Sequence, residues 1–142
     1  MANMSPNKTP IPEQEPNVRN KNFLEVALGY TDEQALQEAE RCLNCKKPFC
    51  VEGCPVNVPI PKFISKIKEG DMMGAYKILS EANALPAVSG RVCPQESQCE
   101  GKCVRGIKCD SVGIGRLERY VADWAIANGV SNTDKAPDNG HK

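Results

Sequence analysis

Eight cysteines stand in two runs, and their spacing is the strongest chemical signal in the chain. The first run is Cys42-x2-Cys45-x4-Cys50-x3-Cys54-Pro55. The second is Cys93-Pro94-x4-Cys99-x3-Cys103, with Cys109 after five more residues. Thiolates this close in sequence can converge on one small inorganic core without a large loop-closure cost, and thiolate is the ligand that iron–sulfur cores favour. Pro55 and Pro94 directly follow cysteines, where they stiffen the turn and remove a donor that would otherwise need a partner. A structural zinc site would use four cysteines or a cysteine–histidine mix, often as paired C-x2-C knuckles. This chain has a single C-x2-C, and its one histidine, His141, lies in the tail. A disulfide framework belongs to an oxidising compartment, and the opening stretch MANMSPNKTPIPEQEP has no apolar export signal. The expected compartment is therefore cytoplasmic, and the thiols read as metal ligands.

The close of the first run resembles the bacterial ferredoxin pattern C-x2-C-x2-C-x3-C-P, in which the fourth cysteine ligates the other of two clusters. By the same geometry Cys54 is expected to leave the first group and join a second cluster. A ligand from the second run must then return to complete the first.

The elements that must position these residues read as helices. Residues 1–20 carry four prolines and little to bury, and are expected to be an extended or flexible leader. Thr31 with Gln34 forms a capping-box pattern, opening a helix through Ala35, Leu36 and Ala39. Pro59 and Pro61 bracket the start of another, with Phe63, Ile64 and Ile67 on one face. Gly70 ends it, and Asp71 caps the next, which carries Ala75, Tyr76, Ile78 and Leu79. Residues 83–110 read as loop with short helical turns. A last helix over roughly 111–128 places Ile114, Leu117, Val121 and Trp124 on one stripe, with Gly129 as its stop. No segment alternates as a strand would. The expected fold is all-α, with helices around two cluster-binding loops, and residues 130–142 are expected to be a linker.

Composition narrows the function classes. Lys+Arg and Asp+Glu both number 18, so no charge asymmetry points to nucleic acid or a membrane surface. The apolar runs are too short to span a bilayer. Aromatic content is only 5%, so a chain of 142 residues has a modest core that bound metal would help to staple.

Three stretches carry a family resemblance: GYTDEQALQEAERCLNCKKPFCVEGCPVNVPIPKFI, ALPAVSGRVCPQESQCEGKCVRG and VGIGRLERYVADWA. Together, over roughly residues 17–129, they resemble the N-terminal α-helical ferredoxin domain of the NADPH-dependent glutamate synthase small subunit. Related domains occur in bifurcating ferredoxin:NADP oxidoreductases and in dihydropyrimidine dehydrogenase. The resemblance implies two 4Fe–4S clusters. It assigns Cys42, Cys45, Cys50 and Cys103 to one, and Cys54, Cys93 and Cys99 to the other. The fourth ligand of the second cluster falls in the IGRLER motif, at the position of Glu118. That position is a glutamine in dihydropyrimidine dehydrogenase and a glutamate in the bifurcating relatives. A lone glutamate is more often a solvated helix residue, but Glu118 shares a face with Ile114 and Val121, which favours an inward role. Cys109 departs from the family pattern and is expected to be a free thiol, with exchange into the place of Glu118 as the alternative. Lys46, Lys47, Arg91, Lys102, Arg105 and Arg116 lie near these residues in sequence. Positive charge there would stabilise a reduced cluster, against the plainer reading of a solvated basic surface.

In the larger relatives a flavin domain and an NADPH domain follow, each opening on a G-x-G-x-x-G turn. Here GIGRLER begins such a motif with Gly113 and Gly115, but Glu118 stands where the third glycine belongs. FAD and NADPH are thus expected only in an absent downstream part, and no catalytic residue is expected in this chain. The implied role is an electron relay between that flavin and a partner, such as the large glutamate synthase subunit. The alternatives are the equivalent domain of a bifurcating enzyme or pyrimidine dehydrogenase, and a module whose metal only holds the fold and docks a subunit.

Overall fold

The computed structural model describes residues 3–131 and 140. It is helical, and among the described residues the only β-pairing is an isolated bridge between Glu13 and Ala27. Among the described residues seven α-helices run in chain order: α1 Pro16–Arg19, α2 Asp32–Glu40, α3 Phe49–Glu52, α4 Ile60–Lys68, α5 Met72–Ala82, α6 Pro86–Val92 and α7 Ile114–Ala127. Two 3-10 turns, Glu100–Lys102 and Val104–Ile107, lie between α6 and α7.

Local chemistry accounts for the boundaries. The Thr31 hydroxyl accepts from the Gln34 amide while the Gln34 side chain accepts from the Thr31 amide, closing the capping box of α2. Gly70 takes φ +72°, the left-handed stop after α4, and the Asp71 carboxylate then accepts from the Gly74 N–H to start α5. Gly129 stops α7 with φ +64°. Within 83–110 the structure contains a full helix, α6, begun by Pro86 at its first position. Ser89 and Gly90 had masked its short pattern. On α7 the stripe of Ile114, Leu117 and Val121 is buried, whereas Trp124 is half-exposed and the small Ala122 and Ala125 face inward.

The core joins α2, α4, α5 and α7 through Ala35, Ala39, Phe63, Ile64, Ala75, Leu79, Leu117 and Val121. Helix α6 packs along α7. That approach requires Gly90, because a Cβ there would lie 2.7 Å from the Arg119 backbone nitrogen.

The polar framework is less ordinary. Arg41 and Glu38 are both 0% exposed and pair at 2.7 Å. Arg41 also donates to the carbonyls of Ser5, Pro6, Asp110 and Ser111. Glu38 accepts from the Thr9 and Gly113 amides, each at 2.7 Å. Residues 3–13 contain no helix, and they are tied into the body. The Thr9 amide ends on Glu38, the Thr9 carbonyl accepts from Tyr30 and Arg116, and Lys8 pairs with Glu100. This stretch buries Thr9 and supplies carbonyls to three arginines, contacts that its proline-rich composition did not announce. Of the tail, only residues 130, 131 and 140 are described; the rest of the expected linker and His141 lie outside the described residues.

Candidate metal centre

Cys42 and Cys45 follow α2, Cys50 lies inside α3, and Cys103 sits between the two 3-10 turns. The fold brings these four sulfurs to one cavity, walled by the apolar side chains of Leu43, Phe49, Ile60, Ile64, Val112 and Ile114 and by Arg105. Asn44 takes the left-handed φ of 49° between the first two cysteines, and its amide points at the Cys42 sulfur. Burial pushes the Cys42 thiol up, against the pull of that amide and of the Lys68 ammonium. Burial, and then the crowding of Cys103 and Cys42, pushes Cys50 up to about 12. Lys68, at the end of α4, also donates to the Cys42 carbonyl at 2.8 Å.

A second set forms beside it. Cys54 follows α3, Cys93 ends α6, Cys99 precedes the first 3-10 turn, and Glu118 projects from α7. Their mutual influence marks them as neighbours. Cys93 is raised by burial and then by Glu118 and Cys54, and Cys99 is pushed up to about 12 by burial, with Glu100, Cys54 and Glu118 adding to it. Glu118 itself is raised by burial, partly offset by two donors. Its Oε1 accepts from Ser89 Oγ at 2.5 Å and from Asn83 Nδ2 at 2.8 Å. Gly53 permits the approach of the two cysteine segments, since a Cβ there would lie 2.7 Å from the Gln98 carbonyl oxygen.

Cys109 joins neither set, and its thiol donates to the Arg105 carbonyl at 3.2 Å. No group of three or more His, Cys, Asp or Glu side chains among the described residues is drawn together as around a single metal ion. The sulfurs of the first set border a cavity instead. Two donor sets, one of four thiols and one of three thiols with a carboxylate, suit polynuclear iron. These buried and half-buried thiols would give up their protons on binding, and a cationic core would balance the thiolate charge.

The sequence from residue 19 to 130 matches the family model described as dihydropyrimidine dehydrogenase domain II, 4Fe-4S cluster. The chain belongs to this family. It is therefore a 4Fe–4S domain, of the α-helical type expected from its sequence. The chain is 40% identical over 119 residues to the glutamate synthase [NADPH] small chain of Halomonas elongata, covering 83% of this chain and 25% of that protein. It is 37% identical over 129 residues to the corresponding Escherichia coli small chain, covering 91% and 26%. It is 38% identical over 111 residues to the Escherichia coli NAD-dependent dihydropyrimidine dehydrogenase subunit PreT, covering 78% and 27%. The chain thus spans about a quarter of the length of these curated relatives.

In this 4Fe–4S domain the six basic residues near the cysteines separate. Lys46, Lys47 and Lys102 are exposed, and Arg91 is taken up by Glu25 at 2.6 Å and Asp123 at 2.8 Å. Arg116 donates to Thr9 and Tyr30. Arg105 alone is both buried and in the wall of the first sulfur cavity. Lys68, Ser89 and Asn83 escaped the sequence reading. Each is remote in the chain from the group it touches, and none carries a motif. No described helix is long and apolar enough to cross a membrane.

Proposed function

We propose that the domain relays electrons through two 4Fe–4S clusters, one held by Cys42, Cys45, Cys50 and Cys103 and the other by Cys54, Cys93, Cys99 and Glu118. The observation that carries this reading is the crossing of the two runs. Cys103 lines one cavity with Cys42, Cys45 and Cys50, while Cys54, which follows the short helix that carries Cys50, neighbours Cys93 and Cys99. When bound, a 4Fe–4S group takes up and releases single electrons. The chain's own part is to bury the sulfurs, exclude water and supply charge. Ser89 and Asn83 hold the Glu118 carboxylate in place, while Asn44 and Lys68 favour the thiolate of Cys42.

We further propose a parent of the glutamate synthase small-subunit type, in the cytoplasm. Residues 21–129 form the cluster unit, and 130–142 lead toward domains that bind FAD and NADPH. The partner that receives the electrons is the large subunit, in the service of glutamate biosynthesis. Support comes from the small-chain relatives and from the quarter of their length that this chain spans. The similarity to PreT supports a second reading, the equivalent domain of a pyrimidine-reducing enzyme.

Iron, acid-labile sulfide and zinc are measured on anaerobically prepared protein, with the visible spectrum. About eight iron and eight sulfide per chain, with absorption that bleaches on reduction, is the expected result. Zinc without sulfide, persisting after reconstitution, would make the domain a structural metal module.

A further inference from the structure

Arg105 is only 5% exposed, and its Nε is a buried donor that meets no acceptor. Its other nitrogens are accounted for: Nη1 donates to the Met4 sulfur at 3.4 Å and Nη2 to the Ser5 carbonyl. Among the described residues it makes no ion pair, unlike the buried Arg41 and Arg119, which pair with Glu38 and with Glu25 and Asp123. A guanidinium is always charged, and a buried charge or donor normally has a partner. The same side chain lines the cavity that Cys42, Cys45, Cys50 and Cys103 enclose. Four thiolates around an iron–sulfide core carry net negative charge and present sulfur acceptors. Both demands of Arg105 then find one answer.

We infer that Arg105 donates its Nε–H to the sulfur of the first cluster and, as its buried counter-charge, raises that cluster's reduction potential above the second's. The strap of residues 3–13 has a part in this, because Met4 and Ser5 take the two Nη groups and leave Nε as the one buried donor of this side chain without an acceptor. The second set offers a contrast. Its carboxylate is met by neutral donors, Ser89 and Asn83. Hydrogen bonds to sulfur and local charge are the main levers on such potentials, and they act strongly where water is excluded.

The inference rests on the cluster reading, and the test separates the two. The iron–sulfur-loaded chain is titrated by EPR-monitored potentiometry as wild type, Arg105→Gln, Arg105→Lys and Glu118→Gln. Arg105→Gln is expected to move one midpoint to more negative potential and leave the other in place. Glu118→Gln is expected to move the other. Arg105→Lys keeps the charge but loses the Nε–H; it should shift the first midpoint less and remove one exchangeable proton coupling from that cluster's ENDOR spectrum. If Arg105→Gln fails to fold, the lysine variant decides alone. Unmoved midpoints and unchanged ENDOR couplings in loaded arginine variants would overturn the inference, leaving Nε to meet a water. A shift of the Glu118-sensitive midpoint by Arg105→Gln would overturn it equally. Wild-type protein that takes up no iron and sulfide would sink the cluster reading, and this inference with it.

Discussion

Each donor set has one residue whose replacement separates ligand from bystander. Cys42→Ser is expected to remove the first cluster, halving iron and sulfide while the second cluster's EPR signal persists. Cys109→Ser should leave the iron content unchanged, because its thiol sits on the Arg105 carbonyl and outside both sets. Loss of iron in that variant would reopen the assignment of Glu118. Glu118→Ala removes the acceptor shared by Ser89 and Asn83 along with the carboxylate, so it should alter the second cluster's spectrum and leave the first alone. Glu38→Ala leaves the wholly buried Arg41 without its counter-charge. Breaking one partner of a buried pair costs about 3–5 kcal/mol, which a urea titration of the chain would read as a lower midpoint at unchanged slope.

At the scale of elements, the packing of α6 on α7 sets the distance from Cys93 to Glu118. In Gly90→Ala the new methyl meets backbone rather than a yielding side chain. Overpacking of this kind costs about 1–3 kcal/mol, and the helices must part. The expected result is weaker iron retention at the second set than at the first, followed by the two EPR signals during chelator challenge. Thr31→Ala tests a different point. It deletes a cap that was visible in the sequence and distant from both sets, so it should cost about 1 kcal/mol without changing either signal. The capping box, the Gly70–Asp71 junction and the apolar faces of α4 and α7 were all legible because each depends on residues within one or two turns. Helix α7 shows where that legibility ended. Its start has no side-chain cap of its own; the Gly113 and Gly115 amides are met by Glu38 and Glu100, far off in the chain.

For the whole molecule, the pH dependence of the iron-free chain follows from its crowded thiols. Cys50 and Cys99 are raised from the ordinary thiol value of 9.0 to about 12, because the folded pocket disfavours the thiolate. Above about pH 9 the unfolded chain releases these protons while the folded chain keeps them, so stability present below pH 9 is lost progressively toward pH 12. The urea midpoint of iron-free protein should therefore fall between neutral pH and pH about 10. In the loaded protein the sign reverses, since protons compete with iron for the same sulfurs, and iron should be lost on acidification. A midpoint flat with pH in the iron-free chain would mean that the sulfurs are solvated and the pocket does not close without metal. Removal of residues 1–10 is also a test at this scale. It takes carbonyl acceptors from Arg41, Arg105 and Arg116 together, so the loss of stability should exceed that of trimming an unpacked leader.

The sequence by itself determined the kind of chemistry: eight thiols in two proline-punctuated runs, one histidine outside them, and helices whose caps and periodicities are local. It also carried the 4Fe–4S family, through motifs that survive at about 40% identity. Only the tertiary structure decided how those helices are held and which of six basic side chains is buried against the first sulfur cavity. Glu38, Arg41, Glu100 and Arg105 make contacts across gaps of up to 101 residues. A contact of that span imposes no period and no spacing on the chain. It follows from which surfaces the packed helices exclude from water, and it becomes readable only once they are in place.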